Sequence, residues 1–292
     1  MSGAARANLA RLSPVIYEPV VRGALAEDFG IGGDITTEAT IPPETRARAS
    51  LVARKAGVLA GLDAALFAFK ALDRDVQVAA FARDGEPVAA GATIATVEGL
   101  AHGILGAERT ALNLLSHLSG IATTTAHYVE ACGGARCAIV ETRKTLPGLR
   151  ALEKYAVRAG GGKNHRLRLD DAILIKDNHI AIAGGIGPAL DRARERAGHL
   201  VKIEIEVDSL AQLDEVLAHP DGVDCVLLDN FSVAELREAV RRARNRATLE
   251  ASGGITLEAV AEIAATGVDV ISIGALTHSV VALDIGLDVE AG

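Results

Sequence analysis

From Cys137 onward the chain repeats one unit: a short apolar run, a polar or glycine-rich break, then a helical stretch. CAIVETRK precedes LRALEKYAVRAG, AILIKDNH precedes PALDRARERAG, and VKIEIEVD precedes SLAQLDEVLAH. CVLLDN precedes VAELREAVRRARN, TLEASGG precedes TLEAVAEIAATG, and VDVISIGA closes the series. Repeated βα units force a parallel sheet, because each helix must carry the chain back to the start of the next strand. So many in a row favour a closed α/β barrel. An open doubly wound sheet is the alternative, weakened by the lack of a GxGxxG turn after a first strand.

The first third reads differently. PVIYEPVVRGALAEDF (14–29) has apolar residues at helical spacing, and GIGGDITT reads as a loop running into a strand. From Ala47 to Glu98 the pattern is mostly β, interrupted by a helical LDAALFAFKAL. Its second half has the look of a small carrier-type β-sandwich, without a lysine in the DGEP turn. AERTALNLLSHLSGIATTTAHYVEA (107–131) is a long helix with a possible break at Ser119-Gly120. The expected division is an N-terminal α/β sandwich over 1–115, joined by the C-terminal segment 276–292, and a barrel over 116–275 that carries the active site.

Composition sets limits on partners. Of 292 residues, 49% are hydrophobic but only 3% aromatic, so the core must be aliphatic. The formal net charge of -8 argues against general nucleic-acid binding, which needs a basic face. No apolar run reaches the roughly 18 residues needed to span a membrane. The start MSGAARANLARLSP lacks the apolar h-region of a signal peptide. Cys132, Cys137 and Cys225 follow no metal or redox spacing and read as reduced thiols of a cytoplasmic protein.

A parallel barrel places its active site at the C-terminal strand ends. Those ends carry Thr142, Arg143 and Lys144; Lys176, Asp177, Asn178 and His179; Glu206 and Asp208; Asp229 and Asn230; Ser252, Gly253 and Gly254; and Ser272 and Gly274. In VKIEIEVD, period-2 alternation sets Ile203, Ile205 and Val207 toward the helices and Lys202, Glu204 and Glu206 toward the interior. Glu204 and Lys202 are expected to be neutralised there, by each other or by other barrel residues. Glu206 and Asp229, at neighbouring strand ends, suit Mg2+, which takes few protein ligands and prefers phosphate oxygens. The SGG and SIG turns can offer backbone N–H groups to a phosphate. Arg143, Lys144, His165, Arg166 and Lys176, with Arg109 at the head of the long helix, gather cations in an acidic protein. Such a cluster calls for a small polyanion. Arg168 reads as a solvated surface charge.

Eight segments in order, EDFGIGGDITT, ERTALNLLSHLSGIAT, ETRKTLPGLRALEKYAVRAGGGKNHRL, ILIKDNH, IEIEVDSL, LLDNFS, LEASGGI and GALTHSV, are similar to the quinolinate phosphoribosyltransferase family. The resemblance runs from about Glu27 to Leu287. It implies an open α/β sandwich followed by an incomplete, seven-stranded α/β barrel, assembled head to tail as a homodimer. The implied reaction joins quinolinate to phosphoribosyl pyrophosphate (PRPP), giving nicotinate mononucleotide, pyrophosphate and CO2. By motif match, Thr142, Arg143, His165, Arg166 and Lys176 bind quinolinate, with Arg109 lent across the dimer. Lys144, Glu206, Asp229, Ser252, Gly253, Gly254, Gly274 and His278 bind PRPP. Lys144, Glu206 and Asp229 serve the chemistry, the two carboxylates through Mg2+. Arg168 stands where the family pattern has glycine. Two other enzyme readings remain: a Schiff-base lyase using Lys176, and a sister phosphoribosyltransferase that does not decarboxylate. A non-catalytic anion-binding protein is the remaining alternative.

Overall fold

A computed structural model describes residues 9–290. The stretch MSGAARAN, and with it most of the segment read as carrying no signal peptide, lies outside the described residues. The elements run α1 (Pro14–Phe29), α2 (Ile35–Thr40), β1 (Arg46–Ala53), β2 (Gly57–Val58), α3 (Leu62–Leu72), β3 (Gln77–Ala80), β4 (Pro87–Val88), β5 (Thr93–Leu100) and α4 (Ala101–Ala131). They continue with β6 (Ala138–Val140), α5 (Arg150–Ala159), β7 (Ile173–Ile175), α6 (Asp177–Ala183), α7 (Ile186–Arg196), β8 (Ile203–Val207) and α8 (Leu210–Ala218). The chain ends with β9 (Cys225–Asp229), α9 (Val233–Ala243), β10 (Thr248–Ser252), α10 (Leu257–Ala264), β11 (Val270–Ser272), α11 (Ala275–His278) and β12 (Ile285–Glu290).

Two compact units divide the chain. The first takes residues up to Ala126, Thr145–Gly161 and the segment from Leu276 onward; the second takes His127–Lys144 and Gly162–Ala275. In the first, a four-stranded sheet has the order β12-β1-β5-β3, with antiparallel pairing throughout. Leu51 pairs with Leu287, so the end of the chain closes one edge of this sheet. Alternation along β1 buries Ala49, Leu51 and Ala53, and α3 buries Ala64, Ala65, Ala68 and Phe69. The core is aliphatic, as the composition requires.

Local differences from the sequence reading have local causes. ITTEAT is a helix rather than the start of a strand, because the Asp34 carboxylate accepts from the Thr37 N–H at 3.0 Å and caps it. The long helix α4 is unbroken over 31 residues. Gly120 does not end it. A Cβ there would lie 2.3 Å from the Val281 carbonyl oxygen, so the glycine permits a close backbone approach. Helix α5 follows β6 in sequence but belongs to the first unit, where Tyr155 Oη donates to Asp84 at 2.7 Å and His117 Nε2 contacts the fully buried Glu153 at 2.9 Å.

The second unit holds a parallel sheet in the order β6-β11-β10-β9-β8-β7. Six strands form it, and Val140 makes one further parallel bridge to Lys163 where a seventh would run. Strand β8 is buried on both faces, with Ile203, Ile205 and Val207 alternating with Glu204. Among the described residues no helix is long and apolar enough to cross a membrane.

Candidate active site

Inward-facing side chains of β8, β9 and β10 bring carboxylates together beneath the strand ends. Glu204 and Glu250 are buried, and each lies near His165 Nε2, at 3.0 Å and 3.5 Å. The Cys225 thiol donates to Glu204 at 3.2 Å. Glu141, just past β6 and fully buried, accepts from the His165 N–H at 3.1 Å and from Asn164 Nδ2 at 3.0 Å. Carboxylates from β8, from β10 and from the end of β6 thus converge on one residue. Strands β6 and β8 stand four places apart in the sheet, about 19 Å if it were flat. Their meeting at His165 shows that the sheet curls about a common interior.

This layer changes the ionisation of its members. Burial first, and then the Glu204 charge, pushes the Glu250 carboxyl upward. Burial acts the same way on Glu204, but the hydrogen bonds from His165 and Cys225 hold its carboxyl below the ordinary value. Burial, with the neighbouring carboxylates, raises the Cys225 thiol. Glu204 is therefore satisfied by hydrogen bonds from His165 and Cys225 rather than by Lys202, which precedes the strand and is exposed.

Above the layer stand the cations. Nε of Arg143 and Nε of Arg166 are both buried and neither has a hydrogen-bond partner. Arg166 donates from a terminal nitrogen to the Ala172 carbonyl at 3.0 Å. Burial, and then the charge of Arg143, holds its guanidinium below the usual arginine range. Two like charges with unused buried donors form a strained arrangement that an anion relieves.

Lys176 closes β7, and its ammonium is hydrogen-bonded to Glu206 at the end of β8. Its backbone N–H donates to His179 Nδ1 at 3.0 Å, fixing the residue where strand becomes helix. One strand further, Asp229 accepts from Asn230 Nδ2 at 2.7 Å. Asn230, itself at φ 56°, donates its backbone N–H to Ser252. Gly253 has φ +99°, and a Cβ on it would lie 2.2 Å from the Asn230 amide oxygen. Gly254 (φ +58°) follows with nothing near it. Successive positive-φ glycines at a strand end turn backbone toward the mouth of the sheet, where a phosphate can be held.

Comparison with known proteins bears on what this mouth binds. A family model described as quinolinate phosphoribosyl transferase, C-terminal domain, matches residues 121–288, and the corresponding N-terminal domain matches residues 34–119. The chain belongs to the quinolinate phosphoribosyltransferase family. A nicotinate-nucleotide pyrophosphorylase (carboxylating) of Mycobacterium leprae is 50% identical over 276 residues, covering 92% of this chain and 95% of the relative. A probable enzyme of the same name from Bacillus subtilis is 45% identical over 263 residues, covering 90% of each. The crystal structure of NadC from Streptococcus pyogenes superposes with a TM-score of 0.92 at 39% identity, covering 96% of this chain and 99% of that one.

The remaining quinolinate phosphoribosyltransferase motifs fall as follows. Thr142 Oγ1 accepts the Lys144 N–H at 3.1 Å, shaping the turn in which exposed Lys144 sits. Gly274 ends the segment after β11. Arg109 and His278 belong to the first unit. Arg109 is exposed on α4 and pairs with Glu108 at 2.9 Å, and His278 Nδ1 meets Ser279 Oγ at 2.6 Å. Arg168 is exposed and pairs with Asp170. Its φ is not positive, so the loop needs no glycine there; Asp171 accepts from the N–H groups of Leu167 and Arg168 instead. The sequence reading passed over Glu141, Asn164 and Glu250. The alternation of TLEAS offered the signal for Glu250, since it puts that residue on the face shared with Ser252.

Proposed function

We propose that this chain transfers the phosphoribosyl group of PRPP to quinolinate and releases CO2, forming nicotinate mononucleotide and pyrophosphate. The pair Arg143 and Arg166 carries the reading: two adjacent guanidiniums, each with a buried unused Nε–H, suit a compact dicarboxylate. The names of relatives fit: that of the Mycobacterium leprae relative says carboxylating and that of a Nicotiana tabacum relative says decarboxylating, which describe one reaction written in opposite directions.

Arg143, Arg166 and Lys176 would grip the two carboxylates, with Thr142 and His165 shaping the pocket and Arg109 supplied by a partner subunit of a homodimer. Gripped this way, the pyridine nitrogen is aimed at the anomeric carbon of the sugar. Attack forms the N–C bond as the C–O bond to pyrophosphate breaks. Lys144 would meet the negative charge that develops on the departing group. Ser252, Gly253, Gly254 and Gly274 would cradle the 5-phosphate. The ring is then a pyridinium. The bond from C2 to its carboxylate breaks, the electron pair stays at C2 beside the positive nitrogen, and C2 takes up a proton as CO2 leaves.

The donor set at Glu206 and Asp229, two hard carboxylate oxygens on adjacent strand ends, fits Mg2+. These two carboxylates would hold Mg2+, which would supply charge neutralisation for the leaving group. The three cysteines are free thiols, which supports a cytoplasmic location.

No observation favours a Schiff-base lyase. Lys176 Nζ is engaged by the Glu206 carboxylate, and the cations around it are not the apolar pocket that a Schiff-base lysine needs. Purified protein supplied with quinolinate, PRPP and Mg2+ should yield nicotinate mononucleotide, pyrophosphate and CO2 in equal amounts. Pyrophosphate without CO2 would point to the non-decarboxylating transferase, and neither product would refute the reading.

A further inference from the structure

Two hydrogen bonds fix the protonation of His165. The backbone N–H of Arg166 donates to Nδ1 at 2.8 Å, so Nδ1 presents a lone pair. Nε2 lies 3.0 Å from Glu204, whose carboxyl, held below its ordinary value, is ionised and can only accept, with Glu250 at 3.5 Å, and so carries the proton. Turning the ring over would put carbon at both positions. The ring is therefore a neutral imidazole in its Nε2–H form.

The same contacts exclude two other roles for this cluster. An imidazolium would set an Nδ1–H against the Arg166 N–H, donor facing donor. The ligand atoms of His165, Glu204 and Glu250 lie within 4.8 Å of one another, close enough to hold a metal ion. A metal-bound histidine, however, ordinarily donates a hydrogen bond from its other nitrogen, and here that nitrogen accepts one.

We propose that Glu204 and Glu250 are positioning residues: by accepting from Nε2 they hold His165 in this tautomer, and Nδ1 in turn sets the backbone from which the Arg166 guanidinium projects. The proposal rests on the reading of Arg166 as part of the quinolinate grip. Glu204 is itself braced by the Cys225 thiol, and Glu141 holds the His165 N–H from the other side. The residue before Arg166 is thus pinned by carboxylates from three parts of the sheet. Burying three acids is costly, and packing alone would be served as well by apolar side chains. What they add is direction: one ring orientation, one tautomer, one pose for Arg166.

The tautomer can be read without substrate. Nitrogen NMR of the full chain labelled at histidine, with His165 assigned by its loss in His165→Gln, should show a bare Nδ1 and a protonated Nε2, unmoved by added Zn2+ or Mg2+. A protonated Nδ1, an imidazolium, or a metal-dependent shift at Nε2 would overturn the proposal. The functional arm compares two variants. Glu204→Gln keeps an acceptor and should hold KM for quinolinate within about threefold, whereas Glu204→Leu strands the Nε2–H and should raise it about tenfold or more. KM for PRPP should change less than threefold or so in both. Equal effects on the two substrates, or a Gln variant as impaired as the Leu variant, would reduce Glu204 to a structural role and refute the proposal. Should Glu204→Leu not fold, the wild-type tautomer and the Gln variant decide. A wild-type enzyme that makes no product would sink the activity reading and leave the tautomer to judge the positioning.

Discussion

The Lys176 ammonium is hydrogen-bonded to the Glu206 carboxylate, tying the end of β7 to the end of β8. The lysine side chain is 48% exposed and the glutamate 13%. Each partner has a second task in the proposed reaction, Lys176 toward a quinolinate carboxylate and Glu206 toward Mg2+ and the ribose. Ion pairs this open contribute at most about 1 kcal/mol, so substrate can displace this one with little loss.

Glu206→Gln should therefore separate the two tasks. Freed of its carboxylate, Lys176 should bind quinolinate as well as before or tighter, by no more than about fivefold. Turnover should fall by about a hundredfold, because one of the two carboxylates that would hold Mg2+ against the leaving group is gone. Calorimetric titration of quinolinate beside a turnover assay reads both, and parallel losses would show the pair acts as one structural unit.

Arg143→Ala and Arg166→Ala should each weaken quinolinate binding by about 2–5 kcal/mol, since each truncates a partly buried charge-assisted contact. Neither should lower the melting temperature of the free protein, because each removes repulsion between like charges with unpartnered Nε–H groups. A large fall in melting temperature would mean that the arginines hold the fold together instead.

Much of this was legible in advance, and the exceptions share a cause. The alternation of IEIEV located the inward carboxylates because period 2 is a local property. Helix α5 was not assignable to its unit, because what holds it is distant: Tyr155 meets Asp84, 71 residues away, and Glu153 meets His117, 36 residues away. The same limit applies to His165. Its sequence neighbours are cations, which suggested a further cation, but its ring partners lie on β8 and β10. Gly120 read as a helix break because the backbone it accommodates, near Val281, is far along the chain.

Glu250 gives the protein a pH signature. Burial and the Glu204 charge raise its carboxyl from an ordinary 4.5 to about 7. Between those values the folded protein holds a proton on Glu250 that the unfolded chain has released, so this group's contribution to stability falls as pH rises. The slope from this group is about 1.4 kcal/mol per pH unit, and it vanishes above about pH 7. In Glu250→Gln this fall should be absent, and chemical denaturation at several pH values compares the two. Parallel pH profiles would place the titrating proton elsewhere.

Gly253→Ala should cost about 1–3 kcal/mol of stability, because φ +99° disfavours any side chain and the new Cβ would meet Asn230. The loop should move away from its place beside Asp229, so KM for PRPP should rise while KM for quinolinate holds. A rise confined to quinolinate would remove the glycine turn from the phosphate cradle.

The central claim is that the cations of this sheet mouth grip two carboxylates on one small ring. Calorimetric titration of the wild-type protein with quinolinate and, separately, with nicotinate, which lacks the 2-carboxylate, tests it most directly. Quinolinate should bind about tenfold tighter or better, the worth of a second charge-assisted contact. Equal affinity for the two would contradict the account.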